Sequence, residues 1–334
     1  MKTLKWTALI IAASLLLVAG KAACIYKTNR TASVRWLEHP APPGVMVDMG
    51  GRKLYAVLKG QGAITVIIEP SLASASPEWR LVQDGLVSSA KVLAYDRAGY
   101  GWSDPGPHPR DARSIADDLT ALIAALKLKP PFILLGHDTG ALYAMEFARR
   151  HPGRVSGLVL VDPFPLNYIR YKQELETAVY KNFIDRRSSY KIGGFFGKSG
   201  IVRWLKIVPY TDIPAELRPD VIENLSLEKT YHTALSEYGK GLRVSLEELE
   251  KGRGLPGMPL ALVTHSREAY FREMLFFGVP VDEARKIEAL LEDSYRMLAI
   301  GYAPFTKITA LKSSRNMHLT EPELIVEAVR KVVR

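Results

Sequence analysis

The chain has 334 residues, 47% of them hydrophobic and 24% charged, with 25 Gly and 21 Pro. This is the composition of a globular protein, and the length suits one large α/β domain carrying an insertion. One cysteine, Cys24, excludes an internal disulfide and a cysteine metal cluster. The formal charge of +10 admits an anionic partner, and with no nucleic-acid-binding module legible the membrane is the favoured one.

At the N-terminus Lys2 and Lys5 precede an apolar run from Trp6 to Gly20, followed by Lys21. About 15 apolar residues fit a signal-peptide core, whereas a full span needs about 20. Continuing through KAACIY supplies that length, because Lys21 lies near one end and its side chain can snorkel. The expectation is an uncleaved anchor over residues 1–26, with a cleaved signal ending near Ala22 or a buried helix as the alternatives. Lys27 and Arg30 offset Lys2 and Lys5, so the side on which the body lies is weakly marked.

Residues 27–44, ending in the proline-rich EHPAPPG, read as a spacer. VMVDMGGRKLYAVL then reads as a hairpin turning at Gly50-Gly51. Strand-length apolar runs follow: AITVIIEP, KVLAYD, PFILLGHD, VSGLVLVDP, PLALVTHS and TKITALKS. Helical patterns lie between them. In SIADDLTALIAAL, Ser114 and Asp117 have capping-box-like spacing, and Ile115, Leu119, Leu122, Ile123 and Leu126 share one face. ALYAMEFARR carries Ala141, Ala144 and Ala148, small enough to approach a sheet closely, and PELIVEAVRKVV closes the chain as an amphipathic helix. Apolar strands alternating with helices predict a mostly parallel sheet covered on both faces, over residues 45–163 and 259–334. Residues 164–258, rich in Tyr, Lys and Arg, predict a helical cap inserted after the sixth strand.

Four pieces in order, YDRAGYGWSDPGP, GHDTGA, GRVSGLVLVDP and HLTEPELIVEAV, resemble the glycine-rich loop, nucleophile elbow, following strand and last loop of the α/β-hydrolase superfamily. The resemblance runs from about residue 45 to the end and is weakest in the cap. It implies the α/β-hydrolase fold, with a nucleophile at the elbow, an acid after a later strand and a histidine in the last loop. Asp138 holds the nucleophile position. Branches resembling epoxide hydrolases and haloalkane dehalogenases use aspartate there, forming an ester that base-activated water must hydrolyse.

The remaining positions depart from the family. The base usually lies seven residues before the proline of the closing motif; counting back from Pro322 gives Arg315, which cannot accept a proton near neutrality. His318 serves as the base only if that loop is reshaped; otherwise it is a structural histidine. Glu268, nine residues beyond Pro259, falls where many members place an acid, and is equally readable as an exposed helix residue. YAPFT (302–306) offers no carboxylate at the other site some members use. The first-strand loop, EPSLASAS, has lost its glycines, which closes off conformations that bring backbone near a ligand. Ser71, Leu72 and Thr139 are the candidate oxyanion and pocket residues. His137 reads as a packed neighbour of the site, while His108, His151 and His232 carry no signal. No metal-ligand spacing appears among the 7 histidines, and no cofactor is implied.

Two substitutions therefore meet: a hydroxyl–imidazole pair becomes a carboxylate–guanidinium pair, Asp138 with Arg315, each making the other's burial tolerable. The alternative is that both charges point apart into solvent. Two functions remain in view. One is a membrane-associated α/β-hydrolase-fold protein with a degenerate site, binding a small apolar or lipid-like ligand or a partner in the cap cleft. The other is an active hydrolase of esters, epoxides or alkyl halides using Asp138. The mixed aromatic and basic stretch 190–210 suits either a membrane interface or a plain cap helix.

Overall fold

The structure, a computed structural model, describes residues 2–39, 43–208, 213–251, 257–300 and 304–333, and not the side chains of residues 2–10 and 251. Residues 40–42 of the expected spacer, Pro209 and Tyr210 of the cap stretch, and Tyr302 and Ala303 of YAPFT lie outside the described residues.

Helix α1 (Lys2–Glu38) is continuous. The expected spacer at 27–44 is therefore helical as far as Glu38, because this part of the helix has a partner. Asn29 is buried, and Trp36 stacks on Trp102 with ring centroids 4.0 Å apart. The Trp102 indole N–H also donates to the Trp36 carbonyl, at 2.9 Å. The upper part of α1 is solvent-exposed, and its length and composition suit a membrane anchor or a signal segment.

Among the described residues eight strands form: β1 (Val45–Asp48), β2 (Lys53–Lys59), β3 (Thr65–Glu69), β4 (Lys91–Tyr95), β5 (Phe132–His137), β6 (Val155–Val161), β7 (Leu260–Thr264) and β8 (Phe305–Thr309). They form one sheet in the order β1-β2-β4-β3-β5-β6-β7-β8. The β1–β2 hairpin and the β2–β4 pairing are antiparallel, and every other pairing is parallel. Gly50 and Gly51 take φ of 79° and 104° at the hairpin turn, which an L side chain resists. Strands β3, β5 and β7 are buried along their whole length, which is why they read as unbroken apolar runs.

Core helices α2 (Arg80–Leu86), α3 (Ala112–Ala125) and α4 (Thr139–Arg150) follow β3, β4 and β5. The cap lies between β6 and β7: α5 (Tyr168–Glu174), α6 (Thr177–Val179), α7 (Arg187–Ser199), α8 (Ile201–Leu205), α9 (Arg218–Leu225), α10 (Glu228–Ser236) and α11 (Leu242–Lys251). Helices α12 (Arg267–Phe276), α13 (Val281–Ile300), α14 (Met317–Thr320) and α15 (Pro322–Val333) complete the core. One apolar layer joins the sheet to α3 and α4; a second joins its other face to α2 and α15. The capping box of α3 sits one turn earlier than the Ser114–Asp117 pair: Asp111 is the N-cap, its carboxylate accepting from the Ser114 N–H at 2.8 Å. Asp117 instead pairs with Arg150.

The parallel register brings the carboxyl ends of β3, β5, β6 and β7 together, pairing Glu69 with Gly136 and His137 with Val161. The loops leaving those ends carry the site.

Candidate functional site

Asp138 is the single residue between β5 and α4. Its φ of 50° is unusual for a residue with a Cβ, and the turn is held by backbone bonds: Asp138 N–H to the Val161 carbonyl at 3.1 Å, and Phe164 N–H to the Asp138 carbonyl at 3.0 Å. A strand feeding a helix through one strained residue pushes that side chain outward at the sheet edge. The turn is tight enough to require two glycines. A Cβ on Gly136 would lie 2.6 Å from the Ala141 Cα, and one on Gly140 would lie 2.1 Å from the Glu69 carbonyl oxygen. Thr139 opens α4, so its N–H belongs to the first turn, whose amides have no partner within the helix.

The Asp138 carboxylate is buried and faces two guanidiniums: Arg186 Nη1 at 3.0 Å from Oδ2, and Arg315 Nη2 at 3.4 Å from Oδ1. Burial favours its neutral form, but Arg186 first and Arg315 second outweigh that and hold it below the usual carboxylate range. The expected contact with Arg315 is therefore present through one nitrogen rather than bidentate, and the closer partner, Arg186 at the start of α7, comes from the cap.

Arg315 makes its tighter bond elsewhere. Its Nε donates to Asp162 Oδ2, so one guanidinium spans both carboxylates. Asp162 leaves the end of β6 with a φ of 41° and is fully buried. It also accepts from His265 Nδ1 at 2.6 Å and from the Tyr295 hydroxyl at 2.6 Å. Burial would raise its pKa, yet Arg315, then His265, pull it far down. His265, just past β7, has a carboxylate at each ring nitrogen, Asp162 and, at 3.2 Å, Glu288. Two ionised carboxylates would accept from both nitrogens, an arrangement that favours the imidazolium form. Desolvation opposes this, but Asp162 and Glu288 prevail and lift the pKa to about 9. Asp162, Arg186, His265 and Glu288 escaped sequence reasoning. The signal for Asp162 and His265 was their position immediately after β6 and β7, in VLVDP and LVTHS.

Two candidates are displaced. Glu268 lies in α12 with its side chain 79% exposed, paired with Arg272 one turn on; it takes no part in the site. His318, in α14, is buried flat against Trp79, ring centroids 4.6 Å apart, and 4.8 Å from the ring of His137. Neither of its nitrogens has a hydrogen-bond partner among the described residues, and burial holds it neutral. The helical turn that follows the loop packs the imidazole on Trp79 and His137, and it makes no hydrogen bond to the Asp138 carboxylate. His137 donates from Nε2 to the Arg315 carbonyl at 3.0 Å, fixing that loop.

In the loop after β3 one residue takes a left-handed conformation without being glycine. Ala73 takes φ of 58°, and its carbonyl accepts from Asn224 Nδ2 at 2.7 Å. Arg97 binds the carbonyls of Pro70 and Ser71, at 2.5 and 3.1 Å. Contacts from the cap and from β4's loop thus replace glycine's freedom.

Above these groups lies a cleft of about 400 Å³, with Asp138, Arg186 and Arg315 on its floor and Phe164, Tyr168 and Phe277 on its walls. A second chamber of about 240 Å³ adjoins it; Ser71, Arg186, Ser189 and Tyr190 line both, and Leu72 lines the second alone.

Sheet order, inserted cap and strained elbow define an α/β-hydrolase-fold protein. The alpha/beta hydrolase fold family matches residues 64–185. An AB hydrolase superfamily protein of Gibberella zeae is 27% identical over 80% of this chain and 85% of its own. The (Lyso)-N-acylphosphatidylethanolamine lipase of Bos taurus is 32% identical over 34% of this chain and 38% of its own. Two Bacillus subtilis relatives are matched over only 41% and 42% of their own lengths. The crystal structure of the Cif epoxide hydrolase from Acinetobacter nosocomialis superposes with a TM-score of 0.68 at 16% identity, covering 94% of this chain and 96% of that one. At that identity the likeness speaks for the fold.

Proposed function

We propose that this is a membrane-associated α/β-hydrolase-fold protein whose cap cleft binds an apolar, lipid-like ligand or a partner and does not turn it over by hydrolysis. The supporting observation is Arg315, whose guanidinium bridges Asp138 and Asp162. Hydrolysis through a carboxylate nucleophile needs a base that takes a proton from water; a guanidinium keeps all of its own. Among the described residues no histidine nitrogen hydrogen-bonds the Asp138 carboxylate, and the carboxylates beside His265 favour its protonated form, which has no lone pair to act as a base. The exposed apolar half of α1 supports membrane association, and the aromatic walls of the cleft support an apolar ligand.

A second reading is favoured by the elbow itself. An ionised Asp138 on a strained turn is poised to attack saturated carbon, and the protein resembles an epoxide hydrolase in fold. One experiment separates the two. The full chain is incubated with an epoxide or alkyl halide and followed by product release and peptide mass spectrometry. The first reading expects no turnover above that of Asp138→Ala, and any ester formed on Asp138 to persist. Sustained turnover lost in Asp138→Ala would establish the second.

A further inference from the structure

Helix α1 does not leave the body at an arbitrary place. Below its apolar run it lies on the cap, where Asn29 Nδ2 donates to the Gly197 carbonyl at 3.0 Å. Arg203 of α8 donates to the Asn29 carbonyl at 3.1 Å and to Ser33 Oγ at 3.2 Å. Gly200, between α7 and α8 with φ of 86°, is where the two cross; a Cβ there would sit 2.7 Å from that of Asn29. Lys21, which ends the apolar run, stands 5.1 Å from the ring of Trp204. Residues 1–26 are the length that would span, so Trp204, beside Lys21, would lie within the boundary region of a bilayer spanned by α1.

The cap presents an unusual face at that level. Ile192, Phe195, Trp204 and Leu205 are all more than half exposed. They are interleaved with Lys191, Lys198 and Lys206, the mixture that seats a surface in anionic headgroups. Two further residues on it, Phe196 (38% exposed) and Ile207 (40% exposed), also line the 240 Å³ chamber, so the chamber opens through this face. Inward, Val202, Val221 and Leu225 continue an apolar wall to Arg186 and Ser189, where the chamber meets the charged cleft.

We propose that the α7–α8 face is a membrane-embedded portal, and that the chamber behind it takes an acyl chain of a bilayer phospholipid laterally, with the ester end of the lipid at Ser71, Ser189 and Arg186. This rests on the membrane reading above and deepens it by naming the ligand class and its route. A chain drawn directly from the bilayer avoids crossing water, and the step from an apolar tunnel to hydrogen-bond donors suits the chain-to-ester boundary of a lipid.

The full chain is reconstituted in phosphatidylcholine–phosphatidylglycerol vesicles. An environment-sensitive fluorophore is attached at Phe195→Cys in a Cys24→Ser background, or at Arg243→Cys on α11, which packs against α3 and α4. The expected result is quenching of the first label and not the second by doxyl lipids. Phosphatidylcholine carrying a mid-chain diazirine is expected to crosslink peptides bearing Phe196, Val202, Val221 and Leu225, and Val202→Trp to lose those crosslinks while the Phe195 label stays quenched. Should Val202→Trp misfold, the wild-type crosslink map decides alone. Quenching with crosslinks confined to α1 and the outer face overturns the portal but leaves the membrane reading standing. A label that stays unquenched in vesicle-bound protein, or is shielded by a doubling of particle size, also overturns the portal. Failure of the protein to float with vesicles removes the membrane reading and the portal with it.

Discussion

Arg315 holds Asp162 more closely than it holds Asp138: Nε meets Asp162 directly, while Nη2 lies 3.4 Å from the Asp138 carboxylate. A side chain placed between these two carboxylates touches both an elbow residue and an acid at the end of β6. That is the position in which an imidazole would be oriented by Asp162 and presented to Asp138.

Arg315→His therefore places a base beside Asp138 with an acid already in position. Epoxide or ester turnover is expected to rise by about 10²–10⁴-fold over the parent chain, with both proteins bearing an intact Asp138. Steady-state product release checks this. No gain, in a variant that binds ligand as the parent does, would mean that more than the base has been lost.

Arg315→Met removes the cation and leaves Asp162 with His265 and Tyr295 alone. The loss in unfolding free energy is expected to be about 3 kcal/mol, because one partner of a buried pair is removed. The double variant with Asp162→Asn should recover part of this, since the uncompensated charge goes too. Denaturant melts read both.

His265 gives stability a pH dependence of definite sign. Its folded pKa of about 9 lies above the unfolded value of about 6.5, so the folded chain binds the proton more tightly. Its contribution is complete below about pH 6.5 and is lost as pH rises through 9, at up to about 1.4 kcal/mol per unit. Lys229, whose buried ammonium is pushed down to about 8, acts in the opposite sense above that pH. His265→Gln isolates the effect: stability is lower at pH 6.5, and its difference from the parent shrinks by pH 9.

Gly140→Ala tests the elbow's packing. A Cβ 2.1 Å from the Glu69 carbonyl and 2.5 Å from that of Pro70 meets backbone on both sides, which cannot rotate away. A loss of about 3 kcal/mol is expected from such overpacking, seen as a lowered denaturation midpoint. Gly257, with no atom of the described residues within 4 Å of its Cβ, is the control position: Gly257→Ala should cost far less.

Much of the site could be traced in the chain's linear order because strands and turns are local. The apolar runs and the HDTG turn mark β5 and Asp138 from neighbours a few residues away, and the family resemblance implies Arg315 through its count back from Pro322. Glu268 shows where counting fails: it lies near the right strand, but α12 turns its side chain into solvent. His318 fails for a similar reason, since α14 packs its ring on Trp79.

Apolar periodicity by itself determined strands alternating with helices, a mostly parallel sheet and a helical cap after the sixth strand. Resemblance to the α/β-hydrolase superfamily, carried by turns that few residues can make, implied the hydrolase fold, the elbow at Asp138 and the base position at Arg315. Only the tertiary structure decided which charges meet. Arg186 reaches Asp138 from 48 residues away, and His265 and Arg315 reach Asp162 from 103 and 153. Such partnerships form where loops from different strands converge and water is excluded. There the cost of desolvation depends on every charge gathered at the spot, which no single stretch of sequence records.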